Sequence, residues 1–164
     1  IKGPHLAIDI ARRTGLPLVI AGNVPPEHQA WFDQHIAPEL DAQIRYIGPV
    51  DDRAKAQLLG QARAFLMPIL WDEPFGIVMA EAMACGTPVL GLRRGAVPEV
   101  VEHGVTGFVV DHPDELVHAT TELHQLQRHA CRQRVERLYS AQAVADGYLR
   151  VYQHLLASTF AAAA

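Results

Sequence analysis

Cysteine is scarce. Two in 164 residues, Cys85 and Cys131, far apart in sequence, leave nothing for a disulfide framework or a Cys-pair zinc site, and they read as free thiols. No apolar run approaches the ~20 residues of a membrane-spanning helix. Positive charge is not in excess either: the formal net charge is −4, so no basic footprint points to nucleic acid. No signal-peptide pattern opens the sequence, and HExxH spacing is absent. A glycine fingerprint GxGxxG after a strand is missing too, which counts against a dinucleotide oxidoreductase. Histidines are numerous, but His118, His124 and His129 stand six and five residues apart and share no helix face, while His103 and His112 fall in or near loops. No metal is expected. There is no internal repeat, and low complexity is confined to the Ala-rich last four residues, which are expected to fray.

What is present is an ordinary globular composition, 49% apolar, long enough for one domain with a sizeable core. Short β-branched runs alternate with helical patterns. Residues 4–14 read as a helix with Pro4 in its first turn, Arg12 and Arg13 near its end, and Gly15 as its stop. Residues 16–22, 44–50, 64–70, 88–91 and 107–110 read as strands. Helices are expected over 27–36, with Trp31 and Phe32 as packing residues, and from an Asp51 or Asp52 cap to about Gln61. After Pro113 the chain looks helical almost to its end, with a break around Tyr139 and Ser140. Tight βα alternation predicts an α/β domain with a parallel sheet of about five strands and helices on both faces. Ligands of such sheets sit off the carboxyl ends of the strands. The loops there are 22–26, 48–52, 69–76 and 92–97.

The stretch WDEPFGIVMAEAMACGTPVLGLRRGAVPEVVEHGVTG, Trp71 to Gly107, supplies two of those four loops. A helix is expected from near Phe75 to about Cys85, with Gly86 in a left-handed cap and Pro88 beyond it. A second short helix is expected near Val97 to Glu102. Glu81 is the odd residue. Ile77, Val78, Ala82 and Ala84 around it are apolar, and a carboxylate on such a face is costly unless paired. It is either a partly exposed side chain lying along the surface or a buried-edge acceptor for ligand hydroxyls. Glu73, ahead of the helix, suits either a similar acceptor role or the helix dipole.

These residues resemble the donor-nucleotide motif of retaining glycosyltransferases with the GT-B fold, in particular glycosyltransferase family 4. The motif is carried by Glu73, Phe75, Gly76, Glu81, Gly86, Thr87, Pro88, Gly95, Pro98 and Glu99 and continues through Gly104 to Phe108; the resemblance runs from Lys2 to about Asp114. It implies the C-terminal, Rossmann-like, donor-binding half of a GT-B fold over residues 1–138, with 139–164 as its C-terminal helix and tail. The substrate would be a nucleotide-diphosphate sugar, with no cofactor. Lys2 would contact the diphosphate and Glu73 the hydroxyls of the transferred sugar, which makes them the catalytic candidates. Glu81 would accept hydrogen bonds from the ribose. Phe75, Gly76 and Ile77 lie at the helix start nearby, and the base would stack near Gly48 to Val50, including Pro49. Gly95 belongs to the second loop. Arg94 stands where the family commonly has a glycine, either facing solvent or adding a phosphate contact. Glu99 reads equally as a first-turn acid.

The resemblance also implies a strand ahead of Lys2, an Arg partner for that lysine, and an N-terminal domain that holds the acceptor; none is in this sequence. The expectation is a sheet with an open centre or one completed by self-association. The isolated chain is expected to be catalytically silent, and the longer protein cytoplasmic or peripheral to a membrane. Two other readings stand beside this one: a non-catalytic nucleotide-sugar-binding module, and a nucleotide-sugar epimerase of similar fold.

Overall fold

In the computed structural model, which describes residues 1–162, five parallel strands alternate with eight α-helices. The order is α1 (Pro4–Thr14), β1 (Leu18–Ile20), α2 (Gln29–His35), β2 (Ile44–Tyr46), α3 (Asp52–Gln61), β3 (Phe65–Met67), α4 (Ile77–Ala84), β4 (Val89–Leu92), α5 (Val97–Val100), β5 (Gly107–Val110), α6 (Pro113–Ala119), α7 (Arg128–Leu138) and α8 (Ala141–Ala162). The strands form two sheets, β1–β2 and β3–β4–β5, every pair parallel. The five strands therefore do not make one continuous sheet. No strand pairing among the described residues joins one sheet to the other. The start of the chain meets the segment after β3, where Leu70 N–H donates to the Ile1 carbonyl (2.8 Å).

Strand alternation sorts the larger sheet into two faces. Leu66, Leu90 and Phe108 lie in one register row, and they pack with Ile10 of α1 and Leu116 and Ala119 of α6. Met67 and Val109 lie in the neighbouring row, with Gly91 between them, and face Met79 and Met83 of α4, Val97 and Val100 of α5, and Cys131 of α7. Helices thus cover both faces, and all eight residues of β4 and β5 are buried, as a doubly covered parallel sheet requires. A third cluster, Ile8, Ala11, Ile36 and Ile44, joins α1 and α2 to the smaller sheet.

Several boundaries differ from expectation for identifiable reasons. The helix expected over 27–36 begins with a 3₁₀ turn, Pro26–His28, and is α-helical only from Gln29; Trp31 is exposed and lies against the rings of His5 and His35. The helix expected from Phe75 starts at Ile77, since Gly76 takes a left-handed conformation (φ 72°) as its N-cap. α5 ends at Val100. The long helix after Pro113 is interrupted over residues 120–127. There the hydroxyls of Thr120 and Thr121 donate to the carbonyls of Val117 (2.8 Å) and His118 (2.7 Å), competing with the helical ladder. The break at Tyr139 is present, and Ser140 Oγ accepts from Ala143 N–H (3.2 Å) to start α8. Ala163 and Ala164, part of the tail expected to fray, lie outside the described residues; the helical backbone runs to Ala162. No described helix is long and apolar enough to cross a membrane.

Candidate functional site

The loops beyond the carboxyl ends of β3 and β4 are tied together by hydrogen bonds. Ala96 N–H donates to the Glu73 carbonyl (2.8 Å) and Gly95 N–H to Asp72 Oδ1 (3.1 Å). This contact depends on glycine: a Cβ on Gly95 would stand 2.3 Å from the Glu73 carbonyl oxygen and 2.5 Å from its nitrogen. Glu73 is thereby held at a fixed place just ahead of α4. Its side chain is only 12% exposed and accepts from Lys2 Nζ at 2.8 Å. The Lys2 ammonium also lies 4.8 Å above the Trp71 ring, a cation–π contact. The two residues nominated as catalytic candidates therefore meet, although 71 positions separate them.

Glu81 sits about one turn into α4, on a helix whose Met79, Ala80, Ala82 and Met83 are buried. Its anomaly is resolved by pairing. Lys55 of α3 reaches across to Glu81 Oε1 at 2.7 Å, and both side chains are 32% exposed. Lys55 is itself steadied by Asp52 one turn earlier, at 3.0 Å. The hydrogen bond to Glu81, then that to Asp52, raises the Lys55 pKa above the ordinary lysine value, so the ammonium is charged across the physiological range. α3 is positioned by Asp51, whose carboxylate caps its first turn through Ala54 N–H (2.7 Å).

At the ends of the smaller sheet, Gly22 N–H donates to the Gly48 carbonyl (2.9 Å), and the Tyr46 hydroxyl donates to the Gly22 carbonyl (2.7 Å). A cavity of about 550 Å³ opens here, lined among others by Asn23, Gln29, Phe32, Tyr46 and Pro49. Val50 follows, half-buried, leading into α3 and Lys55. The sequence-nominated loops thus follow the carboxyl ends of β2, β3 and β4. Phe75 is 39% exposed and makes an edge-to-face contact with Tyr139 (5.4 Å), and Ile77 is 68% exposed. Arg94 faces solvent, and no described residue holds its side chain. Gly76, buried, leaves the start of α4 with no side-chain cap.

Sequence reasoning missed Lys55, Asp72 and Trp71. Lys55 carries only a weak signal, a lysine three residues after Asp52 on one helix face. Asp72 and Trp71 are adjacent to Glu73 but owe their roles to contacts with distant segments, Gly95 and Lys2. Among the described residues there is no group of three or more His, Cys, Asp or Glu side chains that could hold a metal ion.

The family model for glycosyl transferases group 1 matches residues 4–125, about three quarters of the chain. The chain belongs to the group 1 glycosyltransferases. Its α/β architecture is that of the C-terminal, Rossmann-like half of the GT-B fold. It is 34% identical over 126 residues to a phosphatidyl-myo-inositol mannosyltransferase of Mycobacterium leprae, covering 73% of this chain and 34% of the relative. Among solved structures it is similar to a sucrose-phosphate synthase from Thermosynechococcus elongatus (TM-score 0.79, 25% identity, 96% of this chain and 43% of the other). It is also similar to AviGT4, a glycosyltransferase involved in avilamycin A biosynthesis (TM-score 0.78, 30% identity, 95% and 48%). The chain thus spans between a third and a half of the length of these relatives.

Proposed function

We propose that this chain is the donor-binding half of a retaining glycosyltransferase, which moves a sugar from a nucleotide-diphosphate sugar to an acceptor held by a separate N-terminal domain. The observation that carries the reading is the pair of carboxylates, Glu73 and Glu81, each held by a lysine from a different segment at the same end of the fold. Cleaving the sugar–phosphate bond builds negative charge on the leaving diphosphate. The uncapped start of α4 at Gly76 presents N–H groups to such an anion, and Lys2 adds a cation. One preorganised donor at developing charge is worth about 3 kcal/mol of barrier. Glu73 accepts from the hydroxyls of the transferred sugar once the donor draws Lys2 onto its phosphates. Glu81 accepts from the ribose, and the base lies against the 48–50 loop and its cavity.

The relatives' names point to different products, so the likeness supports a type of reaction and leaves the substrate open. The same proposal places the acceptor domain against α8. That helix exposes Val144, Tyr148, Val151 and Tyr152 as an apolar stripe that a further domain would cover. By itself the chain is catalytically silent, self-association through the incomplete sheet belongs to the same reading, and the longer protein works in the cytoplasm or at a membrane surface.

Calorimetric titration of UDP, GDP and ADP tests the donor site. One nucleotide is expected to bind, and Glu81→Ala to weaken it by one to two decades, since a charged acceptor bond contributes about 1.5–3 kcal/mol. Equal affinity of wild type and variant for every nucleotide would refute the assignment of Glu81.

A further inference from the structure

Glu81 has two carboxylate oxygens with different surroundings. Oε1 accepts from Lys55 Nζ at 2.7 Å, whereas no described residue donates a hydrogen bond to Oε2. The lysine is not a loose surface cation. Its ammonium is shared with Asp52 at 3.0 Å, so α3 supplies both the cation and the group that steadies it. The residue receiving it projects from α4, a helix otherwise committed to the core. A glutamate with three side-chain torsions, half surrounded by apolar neighbours, has no packing reason to settle in one orientation; the ion pair provides one.

We infer that Lys55 is a positioning residue for the nucleotide site: it fixes one oxygen of Glu81 so that the other is presented to the ribose hydroxyls of a nucleoside diphosphate. The inference rests on the ribose assignment of Glu81 made above. A second consequence concerns charge. An unpaired glutamate beside a diphosphate repels the ligand, and the Lys55 ammonium cancels that repulsion without withdrawing the free oxygen. The spacing Asp52–Lys55 on one helix face and Glu81 on the next is the device that allows a carboxylate to serve an anionic ligand.

The test compares UDP, GDP and ADP with their 2′-deoxy counterparts by calorimetry on the whole chain. For the nucleotide that binds most tightly, wild type is expected to prefer the ribose form by roughly ten- to a hundredfold, the range of a charge-assisted hydrogen bond. Lys55→Met, close in length but uncharged, is expected to reduce that preference to about threefold or less, and Lys55→Arg to restore most of it. Lys55→Gln serves as a second uncharged variant if Lys55→Met does not fold. Adding Lys55→Met to Glu81→Ala is expected to change the preference no further. If Glu81→Ala abolishes the ribose preference while Lys55→Met and Lys55→Gln keep it, the role of Lys55 is overturned and that of Glu81 survives. If Glu81→Ala keeps the preference, or wild type binds none of the three nucleotides, the ribose assignment falls and takes this inference with it.

Discussion

Replacing Gly95 by alanine tests how the Glu73 loop is held. Gly95 has φ 49°, in the left-handed region, where an L-residue with a Cβ is destabilised by roughly 1–2 kcal/mol. The added Cβ would also lie 2.3 Å from the Glu73 carbonyl oxygen, 2.5 Å from its nitrogen and 2.7 Å from the Asp72 carbonyl carbon. All three are backbone atoms, so no side chain can swing aside. Restoring an ordinary contact requires the two loops to part by roughly 1 Å, and overpacking of this kind costs about 1–3 kcal/mol. Parting them weakens the Ala96–Glu73 hydrogen bond, about 1 kcal/mol more. The expected loss is therefore about 3–6 kcal/mol. For a chain of this size that corresponds to a fall in Tm of about 6–24 °C. Gly15→Ala is the control, because Gly15 has a similar backbone conformation (φ 68°) but nothing within 4 Å of its would-be Cβ. It is expected to lose only the roughly 1–2 kcal/mol of the backbone. Chemical denaturation of the two variants and wild type gives the comparison. If Gly95→Ala is destabilised no more than Gly15→Ala, the close approach of the two loops is not what fixes Glu73.

Two further outcomes concern titrating groups away from the site. Asp41 is held down to about 2 by the Arg12 guanidinium, then by the N–H groups of Ile44 and Gln43. Because its folded pKa lies below its unfolded one, its contribution is complete above about pH 4 and disappears as pH falls toward 2. A Tm deficit in Asp41→Asn is accordingly expected at pH 7 and should vanish over that acid range; a constant deficit would show that charge is not the cause. Burial lifts the Cys131 thiol to about 11 from an ordinary 9.0, whereas Cys85 is half-buried and free. At pH 8 that leaves Cys131 roughly a hundredfold less thiolate than an ordinary thiol, and its burial also denies access, so an aromatic disulfide reagent should label the more accessible Cys85 first and Cys131 only after unfolding. Two equally fast thiols in the native protein would contradict the burial.

The fold was readable where local pattern and tertiary environment agree. Val89–Leu92 and Gly107–Val110 are short apolar runs bounded by glycine or proline, and both proved to be fully buried strands. The reading slipped where hydrogen bonding by side chains outweighs helix propensity. Thr120 and Thr121 stop α6 although the surrounding residues favour continuing it, and Gly76 delays α4 by adopting a conformation that composition does not announce.

The site shows a sharper division. Glu81 was conspicuous in the sequence because a carboxylate among apolar neighbours is a conflict that something must resolve. Its resolution was invisible, because Lys55 stands 26 positions away on a helix whose polar residues all look like solvent-facing ones. Lys2 and Glu73 illustrate the same limit from the other side: each was nominated alone, and only the folded chain shows that they form one ion pair above Trp71. Sequence thus exposes the group that needs a partner, while topology selects the partner. In a parallel α/β domain the selection is orderly, because successive βα loops are delivered to the same end of the sheet. The residues to examine beside any anomalous carboxylate are therefore the first turns of the helices on either side of it, and Lys55, in the first turn of α3, is where that rule leads.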